Sequence, residues 1–244
     1  MKVTEQAFTV RANEVDRYNR ASLSGMVSQM QEVAWLSAEE LDAGVDRLQS
    51  MGISWVLIRF KLEVHRAPKL SEQIKVQSWP SGNEKSFVYR DYRVYDSSRQ
   101  LIASATSTWL VLDLNSRKMI SVPEVFHAIT QVPSDVAALP RARERFRRPE
   151  GEGHSVEFPV RWHDLDANDH VSNFLFFQWP LEALSLDWLA KRELVSIDLL
   201  IRAEGVYGDT IISEAVPQAE DSYYHQIRRK SDGRELARAL SRWR

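Results

Sequence analysis

Residues 161–189 have the sequence RWHDLDANDHVSNFLFFQWPLEALSLDWL. The first thirteen residues hold three aspartates, two histidines and two asparagines, and an almost wholly apolar run follows them. Such a run must be covered on most sides, which predicts a buried helix from about Asn173 to Leu189. Pro180 lies inside the run and removes a helical hydrogen bond, so we expect a bend at Trp179-Pro180. The polar residues at the loop-to-helix junction indicate chemistry.

This stretch has a partner near the start of the chain. Residues 10–34 align without a gap to residues 160–184, each pair 150 positions apart. The identical pairs are Val10/Val160, Arg11/Arg161, Asp16/Asp166, Ser22/Ser172 and Glu32/Glu182. Two later pairs of similar segments follow in the same order. Leu57-Ile58-Arg59 is repeated as Leu200-Ile201-Arg202, an echo of the first half in the second, and residues 103–109 (ASATSTW) resemble residues 237–243 (ARALSRW). This pattern predicts an internal repeat of two related halves.

Apolar runs separated by turn residues predict strands in both halves. In the first half, Ser22 caps a helix with the apolar face Leu23, Met26, Val27, Met30, Val33 and Ala34. Strands are predicted at 8–11, 53–64, 73–79, 85–95 and 101–114, and again at 157–161, 196–203, 210–216, 222–229 and 235–243. Strand, helix and several strands, occurring twice, predict an α+β tandem (double) hotdog. Each half is then a curved antiparallel sheet wrapped around a long central helix.

The predicted domains are an N-terminal hotdog at 1–114, a linker at 115–153 and a C-terminal hotdog at 154–244. The linker carries Pro123, Pro133, Pro140 and Pro149 among many charges. We expect it to cross the surface rather than form core. Within it, residues 141–148 (RARERFRR) hold five arginines and one glutamate. This run is either a solvated linker or a docking patch for an acidic partner.

Composition excludes several classes of function. The 244 residues are 43% hydrophobic and 27% charged, which is typical of a soluble globular protein, and no apolar run suggests a membrane span. The absence of cysteine excludes disulfides and a cysteine nucleophile. A net charge of −2 argues against nucleic-acid binding. The N-terminus has neither a signal-peptide nor a transit-peptide pattern, so we expect a cytoplasmic location.

The second half resembles the acyl-ACP thioesterase family, whose motif is Asp-x-Asn-x-His-Val-x-Asn before an aromatic helix. The matching residues are Asp166, Asn168, His170, Val171, Asn173 and Trp179. The first half is also similar, through Trp79-Pro80 and the long strand that ends at Trp109. The resemblance implies a bacterial-type member, related to the plant fatty acyl-ACP thioesterases. It also implies a thioester hydrolase that releases free fatty acid from acyl-acyl carrier protein and terminates fatty acid synthesis.

The family also has a glutamate shortly before a Gly-Asp turn, and residues 201–209 (IRAEGVYGD) match that pattern. The resemblance therefore implies Asp166, Asn168, His170 and Glu204 as catalytic residues. Plant members carry cysteine directly after the glutamate, where this chain has Gly205. Ser172 also departs from the asparagine that the family often has there.

The first half lacks most of these residues. At the positions that match the four catalytic candidates it has Asp16, Tyr18, Arg20 and, counted from the Leu-Ile-Arg echo, Lys61. We therefore expect hydrolysis once per chain, with acyl-chain binding by the first half.

Thioester hydrolysis needs a base for water and donors for the developing oxyanion. Glu204 or Asp166 is the predicted base, Asn168 and His170 position the water and the thioester, and amides between Val171 and Phe174 receive the carbonyl oxygen. Attack by a carboxylate to form an anhydride is the alternative. No cofactor is predicted. His163, Asp164, Asp166 and His170 suit a metal, but one loop seldom supplies a full ligand set, so no metal is predicted.

Two other functions compete with this hypothesis. An acyl-CoA thioesterase would keep the fold and change the carrier, whereas the basic residues at 141–148 and 228–230 favour the acidic carrier protein. A non-catalytic acyl-binding module would lack part of the catalytic set. The predicted partner is acyl carrier protein, with no nucleic acid and no membrane. A homodimer is compatible with the sequence, because a tandem pair can still self-associate.

Overall fold

The computed structural model describes residues 3–166 and 168–244. The chain divides into two compact units, with the boundary between Ala142 and Arg143. Within the described residues, no helix has both the length and the apolar character to cross a membrane. Each unit contains five long antiparallel strands and a helix packed against them.

The first unit begins with a strand and a long helix. Its elements are β1 (Thr4–Thr9), α1 (Leu23–Glu40), α2 (Val45–Ser50), β2 (Ile53–Val64), β3 (Gln73–Glu84), β4 (Phe87–Asp96), β5 (Leu101–Asp113) and β6 (Met119–Ile120). The long strands pair antiparallel in the order β1-β3-β4-β5-β2, and β6 pairs with β5. α1 packs against β1 and β3.

α1 forms where the apolar spacing predicts it. The Ser22 hydroxyl oxygen accepts a hydrogen bond from the Gly25 amide at 3.1 Å and caps the first turn. Every apolar residue of the predicted face is buried. Burial of each large side chain contributes about 1.5–3 kcal/mol. The predicted cap and buried face are confirmed.

The second unit repeats the order of the first with shorter helices. Its elements are β7 (His154–Pro159), α3 (Leu175–Glu182), α4 (Leu186–Lys191), β8 (Leu194–Ile201), β9 (Thr210–Ala219), β10 (Ser222–Arg229) and β11 (Glu235–Trp243). Its strands pair antiparallel in the order β8-β11-β10-β9-β7. α3 packs against β8, β9 and β10. Short 3-10 helices precede the main helix in both units, at Ala12–Glu14 and Trp162–Asp164.

The single long helix predicted over residues 173–189 is wrong, because α3 and α4 are separate. α3 passes through Pro180 and ends at Glu182. The Ser185 hydroxyl oxygen then accepts the Trp188 amide at 3.2 Å and starts α4. Pro180 has no amide to donate to the Phe176 carbonyl, so α3 lacks one backbone hydrogen bond in its last turn. The helix therefore ends after Pro180 and a second one starts at Leu186, while the bend at Trp179-Pro180 stays a prediction.

Part of the segment between the repeats packs into the first unit. Val122 and Phe126 are buried in a cluster with residues of α2 and β2. Further on, the Leu139 amide donates to the Asp91 carboxylate at 2.7 Å. Asp91 is fully buried and needs such donors, which this segment supplies. This part of residues 115–153 therefore does not cross the surface as expected.

A buried histidine lies in the sheet of the second unit. His225 on β10 is fully buried, and its Nε2 is 2.7 Å from the Ser241 hydroxyl oxygen. Burial lowers the pKa of His225 to about 3, because the charged ring would be desolvated. The folded protein therefore keeps this ring neutral at neutral and mildly acidic pH.

His225 makes the stability of the fold depend on pH. Below about pH 6.5, an unfolded chain takes up a proton at this residue that the folded chain does not. The free energy of unfolding should therefore fall by about 2 kcal/mol between pH 7 and pH 5 through this residue. Urea unfolding at both pH values should show this loss in the parent chain and in His163→Gln, which changes an exposed histidine. The loss should shrink by that amount in His225→Gln, and an equal loss in His225→Gln would contradict the assignment.

Candidate active site

The loop before the main helix has the same backbone contacts in both units. The bridge between Leu165 and Val171 matches the bridge between Val15 and Ala21. Two backbone hydrogen bonds also match: Asp166 N to His170 O corresponds to Asp16 N to Arg20 O, and Ser172 N to Asp164 O corresponds to Ser22 N to Glu14 O. Each matched pair is separated by the 150 residues of the sequence repeat. The internal repeat is therefore present in the structure.

Asp166 builds this loop. Its Oδ1 accepts the amides of Asn168 at 2.8 Å and His170 at 3.4 Å, which is an Asx-turn arrangement. Asp16 makes the same two contacts in the first unit, at 2.8 and 3.0 Å. The aspartate therefore has a structural role in both units.

His170 and Glu204 meet although they lie far apart in the sequence. The distance from His170 Nε2 to Glu204 Oε2 is 3.4 Å, with 30% and 43% of the two side chains exposed. The backbone explains the approach, because the Val171 amide donates to the Gly205 carbonyl at 2.9 Å and His170 forms a bridge with Val206. Because both side chains are partly exposed, a ligand can reach the pair from solvent. Asn168 is exposed on the same loop.

The turn after β8 corresponds to the turn after β2. In the first unit the equivalent hydrogen bond joins the Ala21 amide to the Pro68 carbonyl at 2.7 Å. Pro68 therefore matches Gly205, and Ala67 matches Glu204.

Lys61 is not the counterpart of Glu204, so that sequence-based prediction is wrong. Lys61 lies six residues before Ala67, within β2, and its ammonium is 3.0 Å from a Glu63 carboxylate oxygen. The Leu-Ile-Arg match is out of register because Leu57-Ile58-Arg59 lies in the middle of β2, whereas Leu200-Ile201-Arg202 lies at the end of β8. The first unit thus has Arg20 and Ala67 where the second has the histidine and the glutamate.

The start of α3 leaves few free amides. The Val171 and Ser172 amides donate to backbone carbonyls at 2.9 Å, so they cannot serve as predicted. In the part of the chain that the structure describes, the Asn173 and Phe174 amides donate no hydrogen bond. Of the predicted oxyanion donors between Val171 and Phe174, only the Asn173 and Phe174 amides therefore stay available. The first unit differs at the next amide: the Gly25 amide donates to the Ser22 hydroxyl oxygen at 3.1 Å, whereas the equivalent Leu175 amide donates to the Ser172 carbonyl at 3.0 Å.

The other polar residues of the loop lie outside this contact. Asp164 is buried and accepts the Arg161 amide at 2.8 Å, while exposed His163 stacks edge-on against Trp162 at 4.9 Å. Among residues 3–166 and 168–244, no group of three or more His, Cys, Asp and Glu side chains is placed to hold a metal ion.

Asp209 supports the turn that carries Glu204, a role that the sequence analysis does not predict. Its Oδ2 accepts the Val206 amide at 3.0 Å, and its carbonyl accepts the Val160 amide at 2.8 Å. The sequence signal for this role is Gly208-Asp209, a turn sequence directly after the segment that carries Glu204.

Comparison with known structures identifies the fold. An acyl-ACP thioesterase from Bacteroides thetaiotaomicron has a TM-score of 0.89 at 18% identity, covering 99% of this chain and 98% of that one. The 12:0-ACP thioesterase from Umbellularia californica also has a TM-score of 0.89, at 20% identity, covering 99% and 97%. These likenesses confirm the predicted tandem hotdog fold.

Sequence comparison then identifies the family. The model of the acyl-ACP thioesterase N-terminal domain matches residues 1–130, and that of the C-terminal domain matches residues 148–244. The chain belongs to the acyl-ACP thioesterase family. A chloroplastic acyl-acyl-carrier-protein hydrolase from Cuphea viscosissima is 25% identical, covering 99% of this chain and 62% of its own length. The palmitoyl-acyl carrier protein thioesterase of Gossypium hirsutum is 26% identical, covering 99% and 64%. The chain thus spans less than two thirds of the length of these two relatives.

Gly205 offers a test of how closely the two loops pack. A Cβ at this position would lie 3.0 Å from Val171 Cγ2 and 3.6 Å from Leu236 Cδ1. We expect Gly205→Ala to lower the free energy of unfolding by about 1–3 kcal/mol through overpacking. Urea unfolding of Gly205→Ala, Val171→Ala and the double variant should show the double variant to be more stable than the sum of the single losses predicts. Strictly additive losses would contradict the close packing.

Proposed function

We propose that this protein hydrolyses the thioester of acyl-acyl carrier protein and releases a free fatty acid, which ends fatty acid synthesis. The contact between His170 and Glu204 at 3.4 Å carries the proposal. The first unit has no carboxylate at the matching position, Ala67. Family membership and the names of the two plant relatives support the substrate class. A cytoplasmic location and a homodimer stay predictions.

Glu204 is the proposed general base. It removes a proton from water while the water oxygen attacks the thioester carbon, and the C–S bond then breaks. The proton passes to the departing thiolate, which needs little help because the pKa of a thiol is about 8.5. Asp166 is the weaker candidate, because its Oδ1 accepts two loop amides.

The remaining groups orient the base and the water and stabilise the oxyanion. His170 holds the Glu204 carboxylate and the water, and Asn168 contributes its side-chain amide from the same loop. The backbone amides of Asn173 and Phe174 donate to the oxyanion, whose charge is better stabilised by fixed dipoles than by water. In an alternative route, Glu204 attacks the carbonyl itself and water cleaves the resulting anhydride. Both routes need the same carboxylate.

Substitution of the two carboxylates should separate base from scaffold. Glu204→Gln should lower kcat for acyl-ACP by at least about 100-fold, because it removes the base. Asp166→Asn keeps an oxygen that can accept the loop amides, so it should keep kcat within about tenfold of the parent, whereas Asp166→Ala should lose more. The measurement is fatty acid release under saturating substrate.

The matched control is Asp16→Ala, which removes the equivalent loop contacts, together with an ion pair to Arg20 at 3.0 Å, from the unit without the site. It should lower the melting temperature at least as much as Asp166→Ala and leave kcat unchanged. Two results would contradict the proposed base: a Glu204→Gln variant as active as the parent, or an Asp166→Asn variant as inactive as Glu204→Gln.

The choice of carrier rests on the basic segment of residues 143–148. Arg148 is tied to Glu214 at 2.9 Å, and the Phe146 carbonyl accepts Arg238 Nη1 at 3.4 Å, so the sheet of the second unit fixes this segment. Arg145 and Arg147 are exposed on it. A fixed, exposed pair of arginines suits the acidic surface of a carrier protein better than the small acyl-CoA.

Charge reversal tests this choice. Arg145→Glu/Arg147→Glu should raise the KM for acyl-ACP about tenfold and leave the KM for acyl-CoA of the same chain length unchanged. Arg117→Glu/Lys118→Glu makes the same charge change on an exposed turn of the first unit and serves as control. Equal effects of the two double variants, or a parent that prefers acyl-CoA, would favour the acyl-CoA alternative.

A further inference from the structure

A mostly buried ion pair contacts the turn that carries Glu204. Arg229, the last residue of β10, places its Nη1 3.4 Å from Asp209 Oδ2. The same Oδ2 accepts the Val206 amide at 3.0 Å. Only 16% of the Arg229 side chain and 12% of the Asp209 side chain are exposed. Water therefore screens this pair less than a surface pair.

The first unit has an equivalent clamp, meaning a carboxylate that accepts a turn amide and pairs with an arginine, but its arginine comes from a different position. Glu72 matches Asp209, because its carbonyl accepts the Val10 amide at 3.0 Å and its carboxylate accepts the Lys69 amide at 2.9 Å. Its partner is Arg66, whose Nη2 is 2.6 Å from Glu72 Oε1 and 3.1 Å from Asp96 Oδ2.

The carboxylate of the ion pair occupies equivalent positions in the two units, Glu72 and Asp209, whereas the arginine comes from different positions, Arg66 and Arg229. Arg66 matches Ala203, because the amides of both donate at 3.2 Å to the carbonyl of the neighbouring strand. Asp96 and Arg229 are the last residues of β4 and β10. In the second unit the guanidinium thus comes from the strand instead of from the turn that bears Glu204. Retention of the clamp with a moved cation indicates that the turn must be held in both units.

We propose that Asp209 and Arg229 are positioning residues for hydrolysis, which hold the Val206 amide and so fix Glu204 against His170. This inference rests on the proposed function. Val206 forms the bridge with His170 and lies two residues after Glu204, so a shift of Val206 moves the carboxylate. A displacement of about 1 Å in a catalytic group can cost about 100-fold in rate. Substrate binding elsewhere need not change.

The test uses matched pairs of variants in the two units of the full chain. Arg229→Gln and Asp209→Ala remove the clamp behind Glu204, while Arg66→Gln and Glu72→Ala remove its counterpart in the first unit. The first pair should lower kcat for acyl-ACP by about tenfold or more with KM within about twofold. The second pair should leave kcat unchanged even where the melting temperature falls equally. Asp232→Asn controls for the second contact of Arg229, at 3.2 Å, and should also leave kcat unchanged.

Hydrogen exchange gives a readout that does not depend on activity. Asp209→Ala should speed exchange of the Val206 amide by about tenfold or more, and Glu72→Ala should do so for the Lys69 amide. Unchanged exchange at Val206, or a kcat loss no greater than in the first-unit variants, would overturn the inference. A parent that releases no fatty acid would sink the proposed function, and the Val206 exchange would then still decide whether the clamp holds the turn.

Discussion

The hydrogen bond from the Val171 amide to the Gly205 carbonyl, 2.9 Å long, joins the loop before α3 to the turn after β8. The contact between His170 and Glu204 depends on it, because these two segments carry the two residues. The first unit keeps the same bond between Ala21 and Pro68 at 2.7 Å. The backbone frame is thus common to both units, and only the side chains placed on it make one of them a candidate for catalysis.

The two units differ most at the start of the main helix. α1 starts directly after Ser22, which caps it, and runs for 18 residues. α3 starts later, at Leu175, and runs for only 8. The Asn173 and Phe174 amides, which precede α3, have no partner among the described residues. Unpaired amides at a helix start are useful where negative charge develops, so the start of α3 suits the second unit to its proposed chemistry.

Much of this arrangement follows from sequence periodicity. Strands β2, β10 and β11 have the predicted bounds, and the buried face of α1 is as predicted, because long runs with a clear period leave few alternatives. The broken helix was missed because apolar character along residues 173–189 is continuous, while the break depends on local capping by Ser185. The Lys61 match failed for a related reason. A three-residue identity in the middle of one strand and at the end of another says little about the register of the turns that follow.

In the candidate site, too, some features follow from the sequence and others do not. His170 and Glu204 were found through motif and family resemblance, and the structure places them in contact. Asp166 looked ambiguous in sequence because Asp16 shares its position, and its contacts with loop amides explain why both units have it. The support from Asp209 and Arg229 was invisible, since it joins residues 20 positions apart through a side chain and a backbone amide.

The most direct test of the proposed hydrolysis measures the release of free fatty acid from purified acyl-ACP substrates of graded chain length, with the matching acyl-CoA panel alongside. We expect the full chain to release fatty acid from at least one acyl-ACP, at a higher kcat/KM than from the acyl-CoA of the same length. Failure to hydrolyse any thioester in either panel would contradict it.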